Sequence, residues 1–232
     1  MGTNSPLESS SSASMASSVD LDVIELIESF PNLKVMESNN QIKELQTVLR
    51  DKTTCREDFV FYSDRLIRLV IEEALNWLPC EKITVTTPTG FEYEGQMFVK
   101  GNCGVSIMRS GEAMERGLRE CCRSIRIGKI LIRHDPDTKE PKLYYAKFPA
   151  DIDKLNILLL SPNLETGGTV SKAINTLKEH GVRVEKIILV TLFATPQGIK
   201  GLLTTFPDLK LLTSEVYSHC VNHFGKIYFG TD

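Results

Sequence analysis

The sequence predicts an α/β protein whose parallel sheet is covered by helices on both faces. After residue 100, short β-type segments alternate with single helical segments, an order that places the strands parallel in one sheet. The 232 residues are 41% hydrophobic and 25% charged, so a chain of this size can fold around its own core without disulfides or metals. Ligands of such sheets bind at the carboxyl ends of the strands.

Composition narrows the class of partner. The 27 basic residues nearly balance 30 acidic residues, giving a net charge of -3, which argues against a DNA-coating protein or a polybasic membrane binder. No apolar run is long enough to span a bilayer. We therefore expect neither nucleic acid nor membrane as partner, and the charge balance leaves room for a local basic pocket that binds a phosphorylated small molecule.

The six cysteines indicate a reducing compartment. They include no Cys-x-x-Cys pair, and the N-terminus lacks the pattern of a signal peptide. We expect free thiols and a cytoplasmic protein, with the nucleus as the alternative. His219, Cys220 and His223 form the nearest approach to a metal motif, but a closing ligand is missing, so no metal site is predicted.

The first hundred residues begin with a Ser-rich stretch. Residues 1–20 are expected to be a disordered tail, leaving 21–232 as one domain. Apolar spacing predicts a short helix that ends at Pro31. It also predicts a long helix over 57–78, with Phe61 among its inward residues. The other predicted elements are a strand at 33–36, a helix marked by apolar residues at 42–49, and an irregular hairpin at 84–99.

The second half carries the alternating pattern. Strands are predicted at 105–108, 129–133, 143–148, 156–160, 187–193 and 209–216. Helices are predicted at 112–123, 170–179 and 197–205. A polar, turn-rich loop at 136–141 separates two of the strands.

One strand end has the features of a phosphate site. An apolar strand ending at Leu160 runs into Ser161-Pro-Asn-Leu-Glu-Thr-Gly-Gly-Thr169, and the glycines open a helix. The N–H groups at a helix N-terminus bind anions, and glycine lets the backbone approach a phosphate closely. Thr166 and Thr169 add hydroxyl donors. The segment is not a Walker A motif, and a plain turn with a helix cap remains the alternative.

A second strand end carries Arg109. This residue follows the strand at 105–108, where a guanidinium can donate to a pyrophosphate. The alternative is a surface ion pair between Arg109 and Glu112.

Five motifs in order resemble the uracil phosphoribosyltransferase family, from about residue 21 to the C-terminus. They are Ile107-Met-Arg-Ser-Gly-Glu112, Arg126-Ile-Gly-Lys-Ile130, Tyr144-Tyr-Ala-Lys-Phe-Pro149, Pro162 to Thr169, and Tyr228-Phe-Gly-Thr231. The resemblance is greatest to the animal members called homologues. It implies the type I phosphoribosyltransferase fold, a parallel sheet flanked by helices with a small hood. The family reaction converts uracil and phosphoribosyl pyrophosphate to UMP and pyrophosphate, with Mg²⁺.

The resemblance also implies residue roles. Phosphoribosyl pyrophosphate would be bound by Arg109, Ser161, Pro162, Asn163, Leu164, Thr166, Gly167, Gly168 and Thr169. Some members are activated by GTP bound between subunits, which implies a homo-oligomer, either dimer or tetramer. The matching GTP residues are Arg56, Arg65, Val99, Lys100, Gly101, Asn102 and Arg126, with a solvated basic face as the alternative. No catalytic residue is assigned.

The chain departs from the family pattern in two places. The family has an Asp for the ribose diol where this chain has Ser161, a loss of about 1.5–3 kcal/mol if that bond is charge-assisted. The C-terminal loop that reads uracil is several residues short and lacks its Pro-Gly element. Asn222, His223 and Phe224 would form any remaining base pocket.

These departures leave two functions open. Either the chain is a binding or regulatory protein that keeps the phosphate site while uracil transfer is absent or feeble, or it is an active enzyme that makes UMP. Loss of the acid together with loss of the base loop favours the first.

Overall fold

The computed structural model describes residues 23–220, 224 and 228. The strands are β1 (Leu33–Val35), β2 (Cys80–Thr86), β3 (Glu92–Phe98), β4 (Asn102–Met108), β5 (Arg126–His134), β6 (Pro141–Lys147), β7 (Asn156–Leu160), β8 (Asn163–Leu164), β9 (Ile187–Ala194) and β10 (Lys210–Val216). The α-helices are α1 (Asn40–Arg50), α2 (Arg56–Leu75), α3 (Ala113–Cys121), α4 (Gly168–Glu179) and α5 (Pro196–Thr205), and residues 23–29 are also helical.

The main sheet has the strand order β1-β10-β9-β7-β4-β5-β6, with β8 paired to β9. All its pairs are parallel except β5–β6, which is antiparallel. The predicted α/β fold with helices on both faces is therefore confirmed, whereas the strand at the β6 edge runs opposite to the expected direction. A polar turn joins β5 directly to β6 without a crossover helix, and such a connection makes neighbours antiparallel.

Two apolar cores lie on opposite faces of the sheet. Ile157 and Leu159 of β7 join residues of α4 and α5 in one core, while Leu158 and Leu160 join residues of α1, α2 and α3 in the other. Alternate side chains of a strand point to opposite faces, so a continuous apolar run such as β7 serves both cores.

Side-chain hydrogen bonds cap the N-termini of α1 and α5. The Asn39 side chain accepts a hydrogen bond from the Ile42 N–H at 2.9 Å and caps α1. Thr195 caps α5 by accepting from Gly198 N–H, and Pro196 takes the first helical position. None of the helices among the described residues is long and apolar enough to cross a membrane.

Three predictions in the first half need correction. The long helix ends at Leu75, not at residue 78, and Phe61 is 58% exposed, so its predicted inward position is wrong. Phe61 instead lies edge-on against Tyr62 with the Arg65 guanidinium near both rings. The hairpin predicted over 84–99 is present as β2–β3, but its first strand begins earlier, at Cys80, and its strands pair in a regular register, so the predicted irregularity is wrong. The predicted Ser-rich tail lies outside the described residues.

Candidate functional site

A cavity of about 300 Å³ lies at the carboxyl ends of β4, β5 and β7. Met108 and Ser110 contribute one wall. The opposite wall comes from the loop after β7 and contains six of the residues predicted to bind phosphoribosyl pyrophosphate: Ser161, Asn163, Leu164, Thr166, Gly167 and Thr169. The structure therefore brings the loop at 161–169, which we call the donor loop, against the turn that carries Arg109.

The donor loop is built on β9. The Pro162 carbonyl accepts hydrogen bonds from the N–H groups of Leu192 and Phe193, at 2.9 and 3.0 Å. The Leu164 carbonyl accepts from Thr195 N–H at 2.9 Å. These bonds fix the backbone of the loop, so its side chains and N–H groups are held in place before a ligand arrives.

The far end of the donor loop opens α4. Gly167 has a φ of 81°, a left-handed conformation that glycine adopts without strain, and α4 begins at the next residue. The first N–H groups of a helix have no partner within it, and the helix dipole favours negative charge there. Thr166 and Thr169 line the same cavity, so this end of the site suits a phosphate group.

Ser161 stands where the family resemblance places an Asp. It is 6% exposed, its N–H donates to the Val190 carbonyl at 3.1 Å, and its hydroxyl donates to the Asn163 carbonyl at 3.1 Å. The single hydroxyl proton is thus used within the loop. A ligand meets neutral hydroxyl lone pairs at this position instead of a carboxylate.

Helix α5 supports the donor loop from beneath. The Thr195 hydroxyl donates to the Glu165 carbonyl, and an added Cβ at Gly198 would lie 2.3 Å from that oxygen. Glycine at 198 is therefore required for the close packing of α5 against the loop.

Arg109 is exposed on the turn after β4, between Met108 and Ser110, which both line the cavity. Of the residues predicted to bind phosphoribosyl pyrophosphate, Arg109, Pro162 and Gly168 are not among the described residues that line it. Glu112 is buried and its carboxylate lies 2.6 Å from the Lys129 ammonium. Glu112 is therefore a buried partner of Lys129, and its carboxylate does not form the surface ion pair that was the alternative for Arg109.

Sequence reasoning missed the contribution of β5. His134, at the end of this strand, lines the cavity with Ile132. The sequence did contain a signal for His134. The strand predicted at 129–133 ends just before it, and ligands of parallel sheets bind at the carboxyl ends of the strands.

The residues predicted to bind GTP lie on separate elements of one chain. Arg56 and Arg65 are on α2, whereas Asn102 and Arg126 begin β4 and β5, next to the turn at 99–101. Strand amino ends and carboxyl ends are opposite edges of a parallel sheet, so the second group lies away from the donor loop. A GTP site at these seven positions stays a prediction.

Arg126 has a partner within the chain. Its guanidinium donates to both carboxylate oxygens of Asp151, at 2.7 and 3.2 Å. This bond holds the pKa of Asp151 below its usual value.

The predicted base pocket is only partly described. Asn222 and His223 lie outside the described residues. Phe224 is 6% exposed, and its ring centroid lies 5.1 Å from that of Phe59 on α2. Tyr228 is also buried and donates its hydroxyl to Asp64 at 2.7 Å. These two aromatic residues pack into the core beside α2, and a base-binding role for Phe224 stays a prediction.

Comparison with known proteins identifies the family. The family model for uracil phosphoribosyltransferase matches residues 35–230. A Danio rerio protein named uracil phosphoribosyltransferase homolog is 60% identical over 87% of this chain and 79% of its own length. The Homo sapiens protein of that name is also 60% identical, and this chain spans 65% of its length. The Dictyostelium discoideum uracil phosphoribosyltransferase is 50% identical over 88% of this chain and 99% of its own.

Solved structures agree on the fold. The AQ2163 protein of Aquifex aeolicus superposes with a TM-score of 0.69 at 22% identity, covering 79% of this chain and 86% of that one. An adenine phosphoribosyltransferase of Thermoanaerobacter pseudethanolicus gives a TM-score of 0.51 at 9% identity, covering 76% of this chain and 99% of that one. From its sequence matches and its type I phosphoribosyltransferase fold, the chain belongs to the uracil phosphoribosyltransferase family.

Proposed function

We propose that this protein binds phosphoribosyl pyrophosphate, or a nucleotide that shares its phosphoribosyl group, and that uracil transfer is absent or weak. The observation that carries the proposal is the cavity lined by Ser161 and, further along the same loop, by Thr166, Gly167 and Thr169 at the start of α4. Such a protein is a pseudoenzyme of pyrimidine salvage that retains ligand binding.

The phosphate end of the cavity supports binding. The α4 N-terminus, Gly167 and the hydroxyls of Thr166 and Thr169 provide donors for a 5′-phosphate. Arg109 lies between Met108 and Ser110 of the cavity wall, and its guanidinium would supply a positive charge to a pyrophosphate attached to the ribose. Both anionic ends of the donor are thus matched by this chain.

The ribose position supports weak chemistry. A carboxylate accepts two diol protons strongly, whereas the Ser161 hydroxyl accepts weakly and already donates to Asn163. Replacing a charged acceptor costs about 1.5–3 kcal/mol, which corresponds to about 10- to 150-fold in rate or affinity. Glu165 lines the same cavity, but it is four residues further along the loop.

Magnesium fits this site as a companion of the donor. Among the described residues, no group of three or more His, Cys, Asp or Glu side chains could hold a metal ion. Mg²⁺ prefers oxygen ligands, keeps several waters and is commonly bound through one or two carboxylates and substrate phosphates. Here the pyrophosphate oxygens and Glu165 would hold the ion, which would neutralise charge on the leaving pyrophosphate.

Active UMP synthesis is the second candidate. It is favoured by the 50% identity to the Dictyostelium discoideum protein, which bears the name uracil phosphoribosyltransferase, over 99% of that protein's length. In this case the C-terminal segment that contains Asn222 and His223 would contact uracil.

The two candidates differ in a direct assay. Purified protein is incubated with radiolabelled uracil, phosphoribosyl pyrophosphate and Mg²⁺, with and without GTP, and UMP is measured. We expect calorimetric binding of phosphoribosyl pyrophosphate without turnover near 1 s⁻¹, the low end for ordinary enzymes. Turnover above about that rate would refute the pseudoenzyme, and absence of binding would refute the ligand site.

Three variants test the two predicted contacts with the ligand. Arg109→Met is expected to weaken binding of phosphoribosyl pyrophosphate, because it removes the charge opposite the donor loop. Ser161→Asp is expected to increase any uracil transfer by restoring a carboxylate. Ser161→Ala is the matched control for Ser161→Asp. Equal uracil transfer by the wild type and both Ser161 variants would exclude a role for this position.

The exposed hairpin supports a homo-oligomer. Phe91, Tyr93 and Met97 of the β2–β3 hairpin and its turn are each more than half exposed, and a two-stranded hairpin is marginally stable alone. A second copy of the chain would cover this surface in a dimer or tetramer, which GTP binding between subunits also requires. Sedimentation equilibrium of the wild type and of Phe91→Ser with Tyr93→Ser tests this, and a wild-type monomer at micromolar concentration would contradict it.

A further inference from the structure

A partly buried charge cluster lies behind the turn that carries Arg109: its carboxylates are largely covered, whereas the Lys129 side chain is 38% exposed. The Lys129 ammonium on β5 contacts the carboxylates of Glu112 and Glu115, at 2.6 and 3.2 Å. The hydroxyl of Ser106, fully buried in β4, donates to Glu115 at 2.5 Å. We call Ser106, Glu112, Glu115 and Lys129 the β5 charge cluster; it connects β4, β5, α3 and the turn.

The cluster fixes one side of the Arg109 turn. Glu112 ends the short 3-10 helix Ser110–Glu112, and its N–H donates to the Arg109 carbonyl at 2.9 Å. Its side chain is 9% exposed, so the turn cannot shift without moving this carboxylate away from Lys129.

The end of β7 fixes the other side. A Cβ added to Gly111 would lie 2.5 Å from the Leu160 carbonyl oxygen. The turn therefore packs directly on the backbone that precedes Ser161. Between this contact and Lys129, the position of the turn relative to the donor loop is determined from both sides.

Besides holding the turn in place, Lys129 partly neutralises the negative charge of Glu112 and Glu115. Two carboxylates share one ammonium, so removal of the ammonium would leave two negative charges behind a turn that must face a polyanion. Burial lowers the pKa of Lys129, but the hydrogen bond that Lys129 donates to Glu112 and the attraction of Glu115 outweigh it, and the pKa is raised overall. Lys129 is thus a stable cation in the cluster.

We infer that Lys129 is a positioning residue for pyrophosphate recognition: paired with Glu112 and Glu115, it holds the Arg109 turn in register with the donor loop. The inference rests on the proposed binding of phosphoribosyl pyrophosphate. It assigns Lys129 to the pyrophosphate end of the ligand and leaves the 5′-phosphate end to the donor loop.

The test uses two ligands that separate these ends. Isothermal titration calorimetry with Mg²⁺ compares phosphoribosyl pyrophosphate with ribose 5-phosphate, which lacks the pyrophosphate. For Lys129→Met we expect an affinity for phosphoribosyl pyrophosphate about 10- to 150-fold lower, the range for a charge-assisted interaction. The affinity for ribose 5-phosphate should stay unchanged. Lys147→Met, at the exposed position paired with Lys129 on β6, is the matched control and should change neither affinity.

Two further variants keep the test decisive. Lys129→Arg preserves the charge and should retain most of the affinity. Glu112→Gln makes the cluster less negative, so the selective loss of phosphoribosyl pyrophosphate affinity that we expect for it would come from the lost contact with Lys129 and not from charge; this variant also serves if Lys129→Met does not fold. In an Arg109→Met background, Lys129→Met should have little additional effect, because the two residues act on the same group of the ligand.

The outcomes separate the inference from the proposed function. Equal losses for both ligands would show a merely structural role, and unchanged binding in Lys129→Met or Glu112→Gln would show no role; either overturns the inference. Wild-type protein that binds neither ligand would instead refute the proposed function.

Discussion

Replacement of Gly198 by Ala should disturb the donor loop from a position outside the cavity. A Cβ at residue 198 would lie 2.3 Å from the Glu165 carbonyl oxygen and 3.1 Å from that of Leu164. Both atoms are backbone, so no side chain can rotate away. The loop would have to retreat by about 0.7 Å to reach a 3.0 Å separation, in an interior packed as densely as a crystal.

Gly201 in the same helix provides the matched control. A Cβ added there would meet no atom within 4 Å. Both substitutions should raise the free energy of unfolding by about 0.5–1 kcal/mol, because Ala loses less backbone entropy than Gly when the helix forms. Overpacking costs about 1–3 kcal/mol. The difference between the variants therefore isolates the contact with the loop.

Urea denaturation and calorimetry measure the two consequences. The free energy of unfolding of Gly198→Ala should be about 1–3 kcal/mol below that of Gly201→Ala. Its affinity for phosphoribosyl pyrophosphate should fall about tenfold or more, since a displacement near 1 Å can cost about 100-fold. If the two variants are equally stable and bind equally well, α5 does not support the loop as the structure indicates.

Three more predictions follow from particular contacts. Tyr228→Phe removes the hydrogen bond to Asp64 and should lower the free energy of unfolding by about 0.5–1.5 kcal/mol in urea, and no change would mean that the bond contributes nothing. Arg126→Met should destabilise the protein at neutral pH, because Arg126 lowers the pKa of Asp151. That stabilisation is present above the unfolded carboxyl pKa of about 3.9 and is lost as pH falls through the lower folded value, so a wild-type advantage that persists at pH 2 would contradict it. Burial raises the pKa of Cys103 to about 11, so iodoacetamide at pH 8 should label it far more slowly than the exposed thiols, and equal rates by mass spectrometry would refute this.

The positions of most elements could be predicted because their signals are local. Apolar runs such as 156–160 and 187–193 became β7 and β9 within one residue, and the glycines after Thr166 correctly indicated the start of α4. Continuous apolar strands are typical of sheets buried on both faces, which also fixed the fold class.

The errors came from tertiary context. Phe61 has the spacing of an inward residue, yet its side chain lies on the solvent face of α2, where its ring is edge-on to Tyr62 and near the Arg65 guanidinium. The direction of β6 depends on whether its connection crosses the sheet, which apolar periodicity does not encode.

The candidate site shows the same division. The donor loop was found from its glycines and threonines, since the chemistry and the spacing lie within nine residues. The alternative of an ion pair between Arg109 and Glu112 rested on their closeness in sequence, whereas Glu112 pairs with Lys129, which lies 17 residues away on a neighbouring strand.

The sequence by itself determined the α/β class, the family motifs, the loop at 161–169 that opens a helix, and the presence of Ser161 at the end of the β7 strand. Each of these is a matter of residue identity or of spacing along the chain. Only the tertiary structure decided that Gly198 supports the donor loop, that His134 lines the cavity and that Lys129 stands behind the Arg109 turn. The physical reason is that these contacts join strands and helices that are distant in sequence. Only the packing of the folded chain brings these elements together at one edge of the sheet.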